Sequence, residues 1–414
     1  MSNNNLPEWL PQVDIQIWIL ALGRLLSQTG SGFTLFYTPI FFVNEVGLSA
    51  TAVGVALGSA QISGILGRFL GGTISDSEFW GRRGTLLLSA VIEAIASFVI
   101  ATTYNFPTLV LGNLLMGLGI GLYWPATEAV VADLTEGNDR NEAYAITRLA
   151  DNIGLQLGII LGGVVISTTG AYRSLFVIDG ITFLAFFAIV YWKISETYKP
   201  DVVGDNSTLQ EMKNGWSIAF SDRPFTIFIV VNIIFTFYIS QIHTTLPLYL
   251  TNVVPGNFSP GNISFLFAIH TAMSVIFLLP IAKFLSRFSR PKALIFSALL
   301  WGVGFVAIDI SATAKTGHFF LAILALSLFA IAIVSYTPVM PAFVADLAPE
   351  NLRGIYLAIS SQCWPIGYLI GPPLGGWALD NSAAVTDNFW LGMTLTVGVA
   401  IVILRYLDKA MTNN

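Results

Sequence analysis

The chain has 414 residues, 55% of them hydrophobic and only 10% charged, against roughly 25% charged in soluble globular proteins. Nineteen Lys and Arg face 24 Asp and Glu, which leaves no basic surface for DNA or RNA, so no nucleic-acid partner is expected. A single cysteine, Cys363, and three scattered histidines exclude an internal disulfide and give no metal-ligand spacing; no metal and no cofactor are expected.

At about 20 apolar residues per helical span, this composition suits eleven or twelve membrane crossings rather than a soluble enzyme. Residues 1 to 16 are polar, contain Glu8 and Asp14 but neither Lys nor Arg, and carry no small-residue cleavage site, so no cleaved signal peptide is expected. Apolar stretches follow near 17–43, 48–75, 84–105, 107–132, 143–168 and 174–192. Residues 193–223 then hold the densest charge in the chain, from Lys193 to Arg223. They read as a linker, with either a short surface helix around Leu209 to Ser221 or a mobile loop. Six more stretches lie near 224–252, 261–282, 292–313, 318–345, 354–379 and 388–405. Lipid cannot satisfy backbone N–H and C=O groups, so runs of this length must be helices, and the alternating pattern of a membrane barrel is absent. The predicted fold is an all-α polytopic membrane protein with twelve transmembrane helices. It divides into an N-terminal six-helix lobe (1–192), a cytoplasmic linker (193–223) and a C-terminal six-helix lobe (224–414).

Alternate connections carry fourteen Lys and Arg on one side and only Arg173 and Lys315 on the other. Positive loops stay in the cytoplasm, which predicts both termini there and a multi-pass protein of the cell membrane, a bacterial inner membrane in particular, with the lipid bilayer as its partner and a monomer as its state. Sliding the second half over the first by 213 positions superimposes Tyr123, Pro125, Asp133 and Arg140 on Tyr336, Pro338, Asp346 and Arg353. The same offset brings Gly154, Gly158, Gly162 and Gly163 onto Gly367, Gly371, Gly375 and Gly376. Six helices separate the copies, so they enter the membrane from the same side as parallel repeats.

Between spans two and three, Gly72-Thr73-Ile74-Ser75-Asp76 followed by Gly81-Arg82-Arg83-Gly84 resembles the loop signature of the major facilitator superfamily, with two residues inserted among Ser77 to Trp80. The glycine runs of spans five and eleven are similar to a motif of its twelve-span drug and metabolite antiporters. Span five has Ile159 where that motif has proline, while span eleven has Pro372. Span four has Asn113 where exporters of the family often carry arginine. The resemblance implies that Asp76 approaches the N-terminus of span eleven, near Leu352, as a conformational latch. Asp133 would pair with Arg82 or Arg83, and Asp346 with Lys283 or Arg287.

Glycines four residues apart let helix backbones approach closely in lipid, and Pro372 with Pro373 predicts a bend in span eleven that could act as a hinge. Charges inside the membrane carry the functional information, since each is costly unless paired or hydrated. Arg24, Arg68, Glu128, Arg148 and Asp151 form a layer on spans one, two, four and five. Arg148 and Asp151 are three apart and can pair, while Glu128 can meet Arg24 or Arg148. Three arginines against two acids leave one positive charge, for an anionic group of the substrate or for proton exchange at an acid. A structural network or cytoplasmic gate is the other reading. In the fold that the resemblance implies, spans three and six are peripheral, so Glu93 and Asp179 read as structural. In the second lobe His243 and His270 are candidates for proton or substrate binding, or for hydrogen-bonded packing.

No phosphate-binding loop occurs, so transport would be secondary. The expected function is proton-coupled efflux of a small organic molecule such as a drug, a siderophore or another metabolite, with Glu128 and Asp151 as proton carriers. The alternatives are an importer of a sugar or organic acid and, from another class, a membrane sensor or assembly factor that no longer transports.

Overall fold

The computed structural model describes residues 11, 13–135, 137–198, 215–256 and 258–412. The leading polar segment up to residue 10, most of the predicted linker and the first part of its expected surface helix lie outside them; residues 215–221 are helical. The chain divides into two compact units, Met1–Pro200 and Asp201–Asn414.

The first unit contains α1 (Ile15–Asn44), α2 (Ala50–Ser75), α3 (Gly81–Thr102), α4 (Phe106–Asp133), α5 (Gly137–Thr169) and α6 (Tyr172–Lys193). The second contains α7 (Arg223–Asn252), α8 (Pro260–Leu285), α9 (Arg290–Thr313), α10 (His318–Tyr336), α11 (Val339–Leu347), α12 (Arg353–Ser361), α13 (Cys363–Leu379) and α14 (Ala383–Thr412). No strand occurs among the described residues. Local chemistry sets several helix starts. Asp14, Ser49, Asn105, Asp222 and Ser259 each accept a backbone N–H in the first turn, and α4, α7, α8 and α9 place proline there, where its missing donor costs nothing.

Among the described residues, ten helical stretches are long and apolar enough to cross a membrane, with His318–Leu347 counted as one. The remaining two of the twelve expected spans differ for physical reasons. Helix α1 carries Arg24 and a run of Ser, Thr and Gln that turns into its unit, which lowers its hydropathy, and span eleven is interrupted at Gln362, between α12 and α13.

The internal repeat is visible in the packing. Within the first unit α1 packs on α5 and α6, α2 on α4, and α3 on α4 and α6. The second repeats this arrangement: α7 packs on α13 and α14, α8 on α10, and α9 on α10 and α14. The glycine runs make these contacts. Gly154 and Gly158 lie against the backbone of α1 at Leu25 and Thr29, and Gly367 and Gly371 lie against Thr236 and Ser240 of α7. Gly162 is filled by the ring of Tyr37 and Gly375 faces Thr245 and Gln241; Gly163 and Gly376 are buried beside them.

Two departures from the repeat come from proline. Helix α4 runs unbroken through Pro125, whereas its counterpart divides at Thr337–Pro338 into α10 and α11. The second copy has Pro341 where the first has Glu128, and a second missing donor within one turn favours the break. Pro372 and Pro373, where a bend is expected, both lie inside the continuous helix α13. Span eleven breaks instead at Gln362, just before Pro365. Helix α7 satisfies groups at the break: Asn232 donates to the carbonyl of Ser360 at 3.3 Å and to its hydroxyl at 3.0 Å, and Thr236 donates to the carbonyl of Cys363 at 2.8 Å.

Candidate functional site

The membrane-embedded charges of the first unit fall into pairs. Arg24 is 1% exposed, and its Nε donates to Asp151 Oδ1 at 2.9 Å while a second nitrogen pairs with Oδ2. Its third nitrogen donates to Thr127 Oγ1 at 3.2 Å. Arg148 forms an ion pair with Glu128, both roughly half-exposed, and the guanidinium lies 4.7 Å from the ring centre of Trp124. Arg24 also lies against this aromatic cluster, 5.7 Å from the ring centres of both Tyr123 and Trp124. Arg148 and Asp151 therefore do not pair with each other. Residues three apart on a helix diverge by about 60°, and Asp151 turns to α1 while Arg148 turns to α4. Arg68, partly buried on α2, makes no ion pair among the described residues although it lies within electrostatic range of Glu128 and Arg148. The surplus positive charge is thus Arg68.

At the end of the unit where α2 passes into α3, Arg82 joins three elements. It pairs with Asp76, its Nε lies 3.3 Å from Asp133 Oδ2, and it donates to the carbonyl of Ser75 at 2.8 Å. Gly72 borders open space, whereas Gly81 has φ +62° and sits where a Cβ would meet the carboxylate of Glu196. Glu196 accepts the backbone N–H of Arg82 at 2.9 Å and of Arg83 at 3.0 Å. The N-cap residue Trp80 offers no side-chain bond, so this carboxylate supplies the anion that the free N–H groups at the start of α3 favour. Arg83 also donates to the carbonyl of Tyr191 and stacks on its ring. Arg140 donates to the carbonyls of Ala132 and Thr135, closing the end of α4.

The second unit repeats the cluster with different partners. Asp346 pairs with Arg290 at 2.9 Å rather than with Lys283 or Arg287, because Arg290 opens α9 much as Arg82 opens α3. Asp408, near the end of α14, takes the place of Glu196: it accepts from Ser289 at 2.6 Å and lies 3.6 Å from Lys292. Arg353 lies 3.9 Å from Glu350 on the same turn. Glu196 and Arg290 were legible as charges but not as partners, since their contacts lie 113 and 56 residues away in sequence. Replacing Glu196 with alanine is expected to cost about 1 kcal/mol, read as a lower melting temperature of the purified protein, while alanine at Glu78, exposed on the adjoining loop, leaves it unchanged.

The buried histidines are held within the second unit. His243 Nδ1 lies 2.7 Å from the hydroxyl of Tyr368, with the rings stacked. His270 Nδ1 donates to the carbonyl of Leu326 at 3.0 Å. No charge layer accompanies them: at the repeat positions of Glu128, Arg148 and Asp151 stand Pro341, Ser361 and Trp364. Glu93 and Asp179 are buried between the helices of the first unit, 2% and 0% exposed.

The sequence model of the Major Facilitator Superfamily matches residues 20–256 and 257–412. A Na(+), Li(+), K(+)/H(+) antiporter of Planococcus maritimus is 24% identical over 387 residues, which cover 86% of this chain and 88% of the relative. The multidrug resistance protein MdtH of Yersinia enterocolitica is 25% identical over 374 residues, 88% of this chain and 86% of the relative. Among solved structures, the nucleoside transporter NupG superimposes with a TM-score of 0.79 at 16% identity over 96% of this chain and 99% of that one. A D-xylose-proton symporter does so at 0.77 and 19%, over 94% and 96%. At those identities the likeness is one of fold.

Proposed function

Since the chain belongs to the major facilitator superfamily and is a membrane transporter rather than an enzyme, we propose that it exports a small polar organic compound in exchange for protons, with both termini in the cytoplasm. The observation that carries this reading is Arg68, a cation without an ionic partner among the described residues, beside the half-exposed Arg148–Glu128 pair. Arg68 would take an acidic group of the substrate. Glu128 is the accessible acid: a cationic or hydrogen-bond-donating group of the substrate competes there with a proton, and that competition makes proton uptake expel the substrate. Asp151, locked to Arg24, is the less accessible acid. The net positive charge of the layer disfavours an alkali cation at this position. The names of the two relatives, an antiporter and a multidrug resistance protein, support exchange and export. The Asp76–Arg82–Asp133 cluster is proposed as the latch of the transport cycle, and its counterpart at Arg290 and Asp346 as the matching element of the second unit.

The compound is sought by comparing medium and cell contents of a deletion strain, and transport is then measured in proteoliposomes with an imposed proton gradient. Export predicts retention in the deletion strain. Arg68→Ala is expected to weaken apparent substrate affinity by about ten- to a hundredfold, the value of one hydrogen bond to a charged group, and Glu128→Gln to remove the response to the gradient. Full transport by both variants with unchanged pH dependence would overturn the assignment.

A further inference from the structure

Away from the arginine layer, the first unit buries two acids that have no cation. Glu93 on α3 and Asp179 on α6 make no ion pair among the described residues, and one carboxylate oxygen of each, Glu93 Oε2 and Asp179 Oδ1, has no hydrogen-bond partner there. Asp179 Oδ2 accepts from Thr34 of α1 and from Ser97 of α3, the latter at 2.8 Å. Ser97 is also placed to donate to the backbone carbonyl of Glu93 at 3.0 Å, and its single proton cannot serve both at once. The orphan oxygen packs directly against Gly30 of α1, where a Cβ would collide with Asp179 Oδ1 and Thr182 Oγ1. Two bare carboxylates in an apolar interior would each cost several kcal/mol.

We propose that Glu93 and Asp179 form a buried proton-binding site, separate from the arginine layer, and that helix α1 couples the two. Protonation converts a carboxylate to a carboxyl group and gives it the donor that its orphan oxygen lacks. The charged and titratable groups on the surrounding helices include Arg24 and Tyr37 of α1, Arg68 of α2, Tyr123 and Glu128 of α4, Arg148 and Asp151 of α5, and Tyr172 and Arg173 of α6. Of these, Tyr123 is within electrostatic range of both Glu93 and Arg24, Arg24 is held by Asp151 and Thr127, and Arg173 donates to the carbonyls of Ala101 and Thr103. Helix α1 carries Arg24 in the layer and Thr34 at the acid pair, about 15 Å apart along its axis at 1.5 Å per residue. A shift of α1 that opens the Arg24–Asp151 pair therefore also withdraws the hydroxyl from Asp179.

This site deepens the proton-coupled reading above, and the test separates them. Infrared spectra of the purified protein, recorded through a pH ramp, should contain a protonated-carboxyl C=O band that weakens in Glu93→Gln and in Asp179→Asn, persists in Glu128→Gln, and shifts in Thr34→Val. An absent band, or one unchanged in both acid variants, overturns the proposal whatever the transport data show. So does a band removed by Na+, Li+ or K+ at fixed pH, which would make a metal cation the occupant. Should the acid variants not fold, the wild-type band and its shift in Thr34→Val decide. In proteoliposomes, loss of one coupled proton lowers the attainable concentration ratio about tenfold per pH unit of gradient, with substrate exchange retained; wild-type coupling in both acid variants overturns the role in transport.

Discussion

Arg24→Met is expected to abolish transport and to destabilise the protein by about 3–5 kcal/mol, the cost of leaving one member of a buried ion pair alone. Asp151, 8% exposed, would be stranded between α1 and α5 with its two bonds from the guanidinium removed, and Thr127 would lose its donor. The informative comparison is the double variant Arg24→Met with Asp151→Leu. Replacing a buried pair by apolar groups of similar volume is often neutral or stabilising, so thermal unfolding in detergent should return close to the wild type. Transport should not return. Recovery of transport in the double variant would assign the pair to structure alone and leave Arg68 and the Arg148–Glu128 pair to carry the chemistry. Failure to recover stability would mean that the surrounding aromatic cage of Tyr123 and Trp124 requires the guanidinium itself.

Gly158→Val should leave no folded transporter at all. Gly158 sits where α5 crosses α1, and a side chain there would run into the carbonyl of Thr29, the Cα of Gly32 at 2.9 Å and the amide of Phe33 at 3.1 Å. Backbone atoms cannot rotate away as a side chain can, so the helices would have to separate, and the close contact that holds them in lipid would be lost. Separation of α1 from α5 would also open the Arg24–Asp151 pair. Gly72→Val, with nothing within 4 Å of its would-be Cβ, is the matched control and should accumulate as well as the wild type. Yield of monodisperse protein from detergent extracts reads both; equal yields would refute the packing role assigned to the α5 glycines.

Much of the architecture was readable before any coordinates. Span positions follow from hydropathy because lipid removes every alternative for the backbone, and the 213-residue offset announced two equivalent sets of helices, which the matching packing of the two units bears out. The positions of the membrane-embedded charges were legible too, since each stands out against an apolar run. Their partners were not. Arg148 stood three residues from an available acid and took another from α4; Asp346 had two basic candidates on the preceding connection and used a third at the start of α9. Periodicity gives the face of a helix to within a broad sector, and such choices turn on which neighbour occupies that sector.

Glu93 and Asp179 mark the same limit. As letters they lie on spans three and six, and nothing local indicates whether those faces meet lipid or one another. Only the packing of α3 on α6 and of α6 on α1 encloses both acids, brings Ser97 and Thr34 to one of them, and, among the described residues, gives neither an ion-pair partner. Amino-acid order alone thus determined the solvent of this protein, the positions of its apolar spans and its duplicated plan, because those depend on transfer of each segment from water to lipid. Which charges are neutralised and which are left over is decided by contacts between distant segments, and only the folded bundle contains them.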